Sequence, residues 1–163
     1  MYNNDILRRI RYIFNLSDSK MISIFDSTGL QTTRSEVSDW LKKDDDPDHK
    51  KCKDYQLASF LNGLINDKRG KKEGAQSEPE KRLNNNIILR KLKIALNLKD
   101  DDILALMALA HFPMSKHELS AFFRKTGHKH YRDCKDQIMR TFLRGLQQKH
   151  RPGSDINKEF KWK

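Results

Sequence analysis

Residues 3–16 read NNDILRRIRYIFNL, and residues 85–98 read NNIILRKLKIALNL. The likeness extends outward from this stretch, because residues 3–70 align with residues 85–152 without a gap at a shift of 82 positions. The identities include a Cys-Lys-Asp triplet at 52–54 and 134–136. Self-similarity at a fixed spacing is typical of a repeated structural unit. The sequence therefore predicts two copies of one domain, and residues kept in both copies are expected to serve the fold.

The repeat also sets the domain boundaries. We assign repeat 1 to residues 1–70, a linker to 71–84, repeat 2 to 85–152 and a tail to 153–163. The stretch between the copies, GKKEGAQSEPEKRL at 70–83, combines glycine, proline and charge, as solvated linkers do. We expect the tail to be flexible, although Phe160 and Trp162 could dock.

Apolar residues recur at helical spacing in four segments of each copy. In the first segment Ile6, Leu7 and Ile10 share one face, while Arg8, Arg9 and Arg11 fall largely on the other. The third segment opens with a capping box at residues 33–36 and again at residues 115–118. The pattern predicts an all-α fold of two tandem four-helix repeats. We expect the repeats to pack about a pseudo-two-fold axis, as the copies of a C2 dimer do.

A glycine lies inside the fourth predicted helix of each copy, at Gly63 and Gly145. Glycine within a helix costs about 1 kcal/mol relative to alanine. Its presence in both copies indicates that another backbone approaches closely there. We expect a tight helix crossing inside each repeat, with a functional contact as the alternative.

Charge separates the two copies. The net charge is +11, yet residues 3–70 hold 12 Lys or Arg against 11 Asp or Glu, while residues 85–152 hold 14 against 6. Five of the six histidines lie in repeat 2. The loop after the third helix is acidic in repeat 1, where residues 44–48 read DDDPD. The equivalent residues of repeat 2, 126–130, read TGHKH. A strongly basic surface favours polyanionic partners.

The second and third helices of each repeat resemble a helix-turn-helix pair, whose second helix enters the major groove of DNA. In repeat 2 that helix would expose Lys116, His117, Ser120, Arg124 and Lys125. A plain helical pair in a bundle is the alternative, because the two share their packing rules. The residues that we expect to contact phosphates are basic or imidazole side chains of repeat 2, namely Lys116, His117, Arg124, Lys125, Lys129, His130, Arg132, Arg140 and Arg144.

Other functions have less support in the sequence. His128, His130 and Cys134 are close donors, but structural zinc usually takes four ligands, so we expect no metal. No phosphate-binding glycine loop or nucleophile motif is present, so we expect no enzyme and no cofactor. Cys52 and Cys134 are expected to be reduced structural thiols. No signal peptide or membrane-spanning stretch is apparent, which favours the cytoplasm.

The sequence resembles a known family in four strings: NNDILRRIRYI, FLNGLINDKRG, RLNNNIILRKLKIAL and FLRGL. They are similar to the bacterial YehS-like family of uncharacterised proteins, and the resemblance extends from Asn3 to about Arg151. It implies a duplicated domain of unknown function in a bacterial cytosol, and it carries no catalytic residues to transfer.

Taken together, these features predict a non-enzymatic nucleic-acid-binding or regulatory protein that contacts phosphates through repeat 2. The sequence leaves DNA and RNA open. The alternative is a protein-interaction adaptor whose acidic partner meets the same basic half.

Overall fold

The computed structural model describes residues 1–153. These residues form helices and loops, with no β-strand among them. The helices are α1 (Asn3–Ile13), α2 (Asp18–Asp26), α3 (Arg34–Leu41), α4 (Asp54–Arg69), α5 (Asn85–Ala95), α6 (Asp100–Leu109), α7 (Lys116–Ala121) and α8 (Asp136–His150). The chain divides into two compact units between Leu83 and Asn84. The prediction of an all-α protein with two tandem four-helix repeats is confirmed, while the pseudo-two-fold packing stays a prediction. Residues 154–163, which hold nearly all of the predicted tail, lie outside the described residues.

In the first unit, the apolar face of α1 is buried, and Ile6, Leu7 and Ile10 are at most 1% exposed. Helix α1 packs against α3 and α4, and α2 packs against the same two helices. In the second unit α6 packs against α7 and α8, and α5 packs against α8. Each unit therefore buries an apolar core of its own.

The capping boxes form as predicted. The Glu36 amide donates to Thr33 Oγ1 at 3.1 Å, and the Thr33 amide donates to Glu36 Oε1 at 3.0 Å. Ser115 and Glu118 exchange the same two bonds, both at 3.1 Å. Amides that would lack a partner at the start of α3 and α7 are thus satisfied by neighbouring side chains.

Both helical glycines lie where two helices cross within one unit. A Cβ atom added at Gly63 would come closer than 3.0 Å to the carbonyl oxygen of Ile24 on α2. One added at Gly145 would overlap the carbonyl oxygen of Leu106 on α6 in the same way. The predicted tight crossing is correct, and it explains why glycine stands at both positions.

Two sequence-based expectations are wrong. Helix α7 ends at Ala121, so Arg124 and Lys125 lie beyond it and not on it. The reason is that the amides of Phe122 and Phe123 bond three residues back, which tightens the chain out of the α-helix. The helical spacing predicts Arg9 on the outer face of α1, but its side chain is buried, with 1% exposed. It lies three residues after Ile6 and four before Ile13, so it shares their buried face.

Candidate functional site

Paired asparagines hold the loop that carries most of the predicted site. Asn86 Nδ2 donates to the carbonyl oxygens of Phe122 at 3.1 Å and Arg132 at 2.8 Å, while Asn86 Oδ1 accepts from the Cys134 amide at 2.9 Å. The neighbouring Asn85 donates to the Cys134 carbonyl at 2.9 Å and to Asp136 Oδ1 at 2.8 Å. The loop between α7 and α8 is therefore fastened at both ends to the start of α5.

The first repeat has the same arrangement. Asn4 Nδ2 donates to the carbonyls of Trp40 and Lys50, both at 2.8 Å, and Asn4 Oδ1 accepts from the Cys52 amide at 3.1 Å. Lys50 and Arg132 thus occupy equivalent places on equivalent scaffolds. Differences between the side chains on these two loops do not come from a difference in backbone support.

A cleft opens beside this loop in the second unit, with a volume of about 470 Å³. We call it the second-repeat cleft. Its apolar lining residues are Ala121, Phe122 and Ile138. The basic and imidazole side chains of the lining are His117, Lys129, His130, Arg132 and Lys135. Two carboxylates, Glu118 and Asp133, complete it. Four of the predicted site residues are brought together here, namely His117, Lys129, His130 and Arg132.

Two imidazole rings, those of His117 and His130, line this cleft, and the ring of His128 lies beside His130 outside the lining. The ring centroids of His117 and His130 are 6.2 Å apart, and the rings meet edge to face. Those of His128 and His130 are 5.5 Å apart, and the His130 amide donates to His128 Nδ1 at 3.0 Å. Aromatic rings with an exposed edge or face are groups on which a planar ligand can stack.

The carboxylate of Glu118 is held in its charged form. Hydrogen bonds from the backbone and then the side chain of Ser115 lower its pKa, with a smaller contribution from His117. Glu118 therefore closes the cap of α7 and also places a negative charge in a cleft that is otherwise mostly cationic.

Five exposed cations of the second repeat have no salt-bridge partner among the residues that the structure describes. Within residues 1–153, no carboxylate pairs with Lys116, Arg124, Lys125, Lys129 or Arg132, and all five side chains are exposed. In the first repeat, by contrast, Arg8 pairs with Asp5, Arg11 with Asp18 at 3.0 Å, Lys20 with Asp67, and Lys42 with Asp39 at 2.7 Å. The second repeat keeps the equivalent of the Arg11 pair, since Lys93 pairs with Asp100 at 2.9 Å. The two repeats therefore differ in charge pairing at the other positions named here, as well as in net charge.

One pair of equivalent positions shows how this difference arises. Lys42 is bonded to Asp39, which raises the pKa of its ammonium group. In the second repeat Arg124 stands where Lys42 does, but Ala121 stands where Asp39 does. The loss of this carboxylate leaves the Arg124 guanidinium without its local counter-charge.

The other predicted site residues lie apart from the cleft. Lys116 is exposed at the start of α7, and Arg124 and Lys125 are exposed in the turn that follows α7. Arg140 and Arg144 are half-buried on α8 and do not line the cleft. Their contact with phosphates stays a prediction.

Sequence reasoning missed several residues of the cleft. Lys135, Phe122 and Ile138 line it, but none of them was among the predicted site residues. A lysine stands at the equivalent position of the first repeat, Lys53, and residues kept in both copies are expected to serve the fold. Ile138 could have been recognised from the alignment of the repeats, because an apolar side chain near a basic loop stands where repeat 1 has Gln56.

The cysteines have a structural environment. Both are buried, and burial, followed by the nearby Asp54 or Asp136 carboxylate, raises the pKa of each thiol to about 12. A protonated buried thiol is a poor nucleophile and a poor metal ligand. No group of three or more His, Cys, Asp or Glu in residues 1–153 is arranged to hold a metal ion.

These features define an all-α protein made of a duplicated four-helix unit, in which one copy carries a cationic cleft. Between residues 1 and 153, none of the helices has the length and apolar character needed to cross a membrane. The chain belongs to the family described as "Protein of unknown function (DUF1456)", which matches it twice, at residues 3–70 and 85–152.

A named relative supports this assignment. The chain is 46% identical over 147 residues to the uncharacterized protein YehS of Escherichia coli (strain K12), a match that covers 90% of this chain and 94% of that protein. No solved structure matches the chain. The resemblance drawn from the repeated strings is thereby confirmed.

Proposed function

We propose that this protein binds nucleic acid without acting as an enzyme, and that it contacts phosphates through repeat 2. The observation that carries the proposal is the set of exposed cations that no carboxylate neutralises within residues 1–153: Lys116, Arg124, Lys125, Lys129 and Arg132. Lysine and arginine that neutralise phosphates release condensed counterions, which gives affinity without sequence reading.

The loop after α7 is the better candidate for the contact than α7 itself. Helix α7 has only six residues, and it follows α6 after a connection at residues 110–115. A recognition helix has to lie along the major groove of DNA, and a helix this short offers little length for that. We therefore assign the main phosphate contacts to Arg124, Lys125, Lys129 and Arg132, with Arg140 and Arg144 as further candidates on α8.

The test is a fluorescence-anisotropy titration of labelled DNA and RNA with the full chain, repeated from about 50 to about 200 mM salt. We expect binding at the low-salt end and a linear fall of log affinity with log salt. The expected slope is about −0.9 per phosphate neutralised on duplex DNA and about −0.7 on single strands. Absence of binding at low salt, or binding that does not depend on salt, would refute the proposal.

An acidic protein partner is the competing explanation for the same cations. Polyglutamate added as a competitor separates the two, because it carries charge but neither phosphates nor bases. If the labelled nucleic acid stays bound when polyglutamate is added at an equal concentration of charges, the proposal is supported. If polyglutamate displaces the labelled nucleic acid at a lower concentration than unlabelled nucleic acid does, the adaptor function is favoured.

A further inference from the structure

The second-repeat cleft carries apolar or imidazole side chains at positions where repeat 1 carries polar or acidic ones. Four of its residues replace polar or acidic ones: His117 stands for Ser35, Ala121 for Asp39, His130 for Asp48 and Ile138 for Gln56. In repeat 1, Asp39 is bonded to Lys42 at 2.7 Å. The same scaffold thus carries a salt bridge in one copy and an apolar floor with imidazole walls in the other.

We propose that the second-repeat cleft receives an unpaired base of a single-stranded nucleic acid, while Lys129, Arg132 and Lys135 hold the adjoining phosphates. This inference rests on the proposed function and names its substrate class. The occupant follows from charge and shape together, since the cleft joins a cationic edge to an apolar floor of Ala121, Phe122 and Ile138.

The volume of the cleft suits one base better than a duplex. Pockets for small-molecule ligands span roughly 300–1,000 Å³, and about 470 Å³ lies within that range. A paired base in a duplex cannot enter such a cleft, whereas an unstacked base of a single strand can leave its neighbours and stack on aromatic side chains. The rings of His117 and His130, which line the cleft, supply such surfaces.

The carboxylates of the cleft argue against a ligand that is only an anion. Glu118 and Asp133 line the same space as the cations. They would repel a bare phosphate or the side chains of an acidic peptide, but they can accept hydrogen bonds from the amino groups of a base. A nucleotide satisfies both signs of charge, with the phosphates on the cationic edge and the base inside.

The experiment compares three labelled probes of equal length, about 12 nucleotides, with the full chain at low salt. The first is an ordinary single strand, the second is a strand of the same length with an abasic sugar at every position, and the third is the duplex of the first. All three carry phosphates, but only the ordinary strand offers unpaired bases. We expect it to bind at least about fivefold more tightly than the abasic strand, the lower end of what one stacked base contributes.

The variants His117→Ser and Ile138→Gln restore the residues of repeat 1 without changing the formal charge at neutral pH. Because the first repeat folds with these residues at the same places, we expect both variants to fold, which circular dichroism checks. In both variants the ratio of affinities for the ordinary and the abasic strand should fall toward one. In Ile138→Gln, which removes none of the predicted phosphate contacts, affinity for the abasic strand should stay unchanged. The matched control, Gln56→Ile in repeat 1, should retain the preference.

The outcomes separate this inference from the function on which it rests. Equal affinity for the ordinary strand, the abasic strand and the duplex would overturn the base-binding cleft and leave phosphate binding standing. Failure of all three probes to bind at low salt would overturn both. A preference that survives in both variants would also overturn the cleft, and displacement of the ordinary strand by polyglutamate as readily as by unlabelled strand would assign the surface to an acidic peptide.

Discussion

Asn86 Nδ2 donates a hydrogen bond of 2.8 Å to the main-chain carbonyl of Arg132, so an asparagine in the first turn of α5 positions a cation 46 residues later. Asn4 makes the same bond, also of 2.8 Å, to the carbonyl of Lys50. The same asparagine hydrogen bonds therefore hold the loop after the third helix in both repeats, while the side chains on the two loops have diverged. The retained asparagines belong to the fold, and the changed loop residues are free to serve the function.

The first prediction concerns these asparagine hydrogen bonds. Asn86→Ala removes three hydrogen bonds and leaves the carbonyl groups of Phe122 and Arg132 and the amide of Cys134 without that partner. Each buried polar group left unsatisfied costs about 1–3 kcal/mol, so we expect a loss of roughly 3 kcal/mol or more in the free energy of unfolding. Asn4→Ala should cost a similar amount, and urea denaturation measures both. An effect below about 0.5 kcal/mol in either variant would show that the asparagines do not hold the loops.

The second prediction concerns the helix crossings. Gly145→Ala places a methyl group against the Leu106 carbonyl, and Gly63→Ala does the same at Ile24. Alanine normally stabilises a helix relative to glycine, but overpacking that pushes two helices apart costs typically 1–3 kcal/mol. We expect both variants to lower the melting temperature. Lys149→Ala, at an exposed position of α8, should leave it nearly unchanged, and a glycine variant with unchanged or raised melting temperature would exclude the tight crossing.

The third prediction concerns the thiols. With pKa values of about 12, Cys52 and Cys134 hold a thiolate fraction on the order of 1 in 10,000 at pH 8. Reaction with a thiol reagent such as DTNB should be slow in the native protein and fast in denaturant, where both thiols are exposed. Native thiols that react as fast as the denatured ones would contradict the structural role.

The same pKa shift makes stability depend on alkaline pH. The folded state binds the thiol protons more tightly than the unfolded chain, whose thiols titrate near 9. The contribution of each cysteine is therefore complete below pH 9 and declines as pH rises from about 9 to about 12. Between pH 9 and 10.5, the free energy of unfolding should fall less steeply in a Cys52→Ala variant than in the parent protein. An equal slope would show that Cys52 is not the titrating group.

Much of the fold follows from local signals in the sequence. The capping boxes at Thr33 and Ser115 and the periodic apolar residues of α1 act over a few residues, so the pattern alone predicts them. The duplication added a second kind of evidence, because a glycine kept at 63 and 145 had to have a reason common to both copies. The close approach to Ile24 and Leu106 provides that reason.

The features that the sequence did not predict depend on contacts between distant segments. The end of α7 at Ala121 depends on how the following loop is drawn toward Asn86, and the burial of Arg9 depends on the width of the packed face of α1. The gathering of His117 with Arg132 and Ile138 joins α7, a loop and α8. No window of sequence contains such a cleft, so charge pattern alone could name the cations but not the space that they surround.

The central claim is that repeat 2, and not repeat 1, carries the nucleic-acid surface. Arg132 and Lys50 test it directly, because both are exposed cations whose carbonyl groups accept the same asparagine bond. The measurement is the anisotropy titration of a labelled single strand over a salt series with Arg132→Gln and Lys50→Gln, which remove one charge each. We predict that Arg132→Gln weakens binding and reduces the salt slope by about 1, while Lys50→Gln changes neither. Equal losses from the two variants, or a loss from Lys50→Gln alone, would contradict the account.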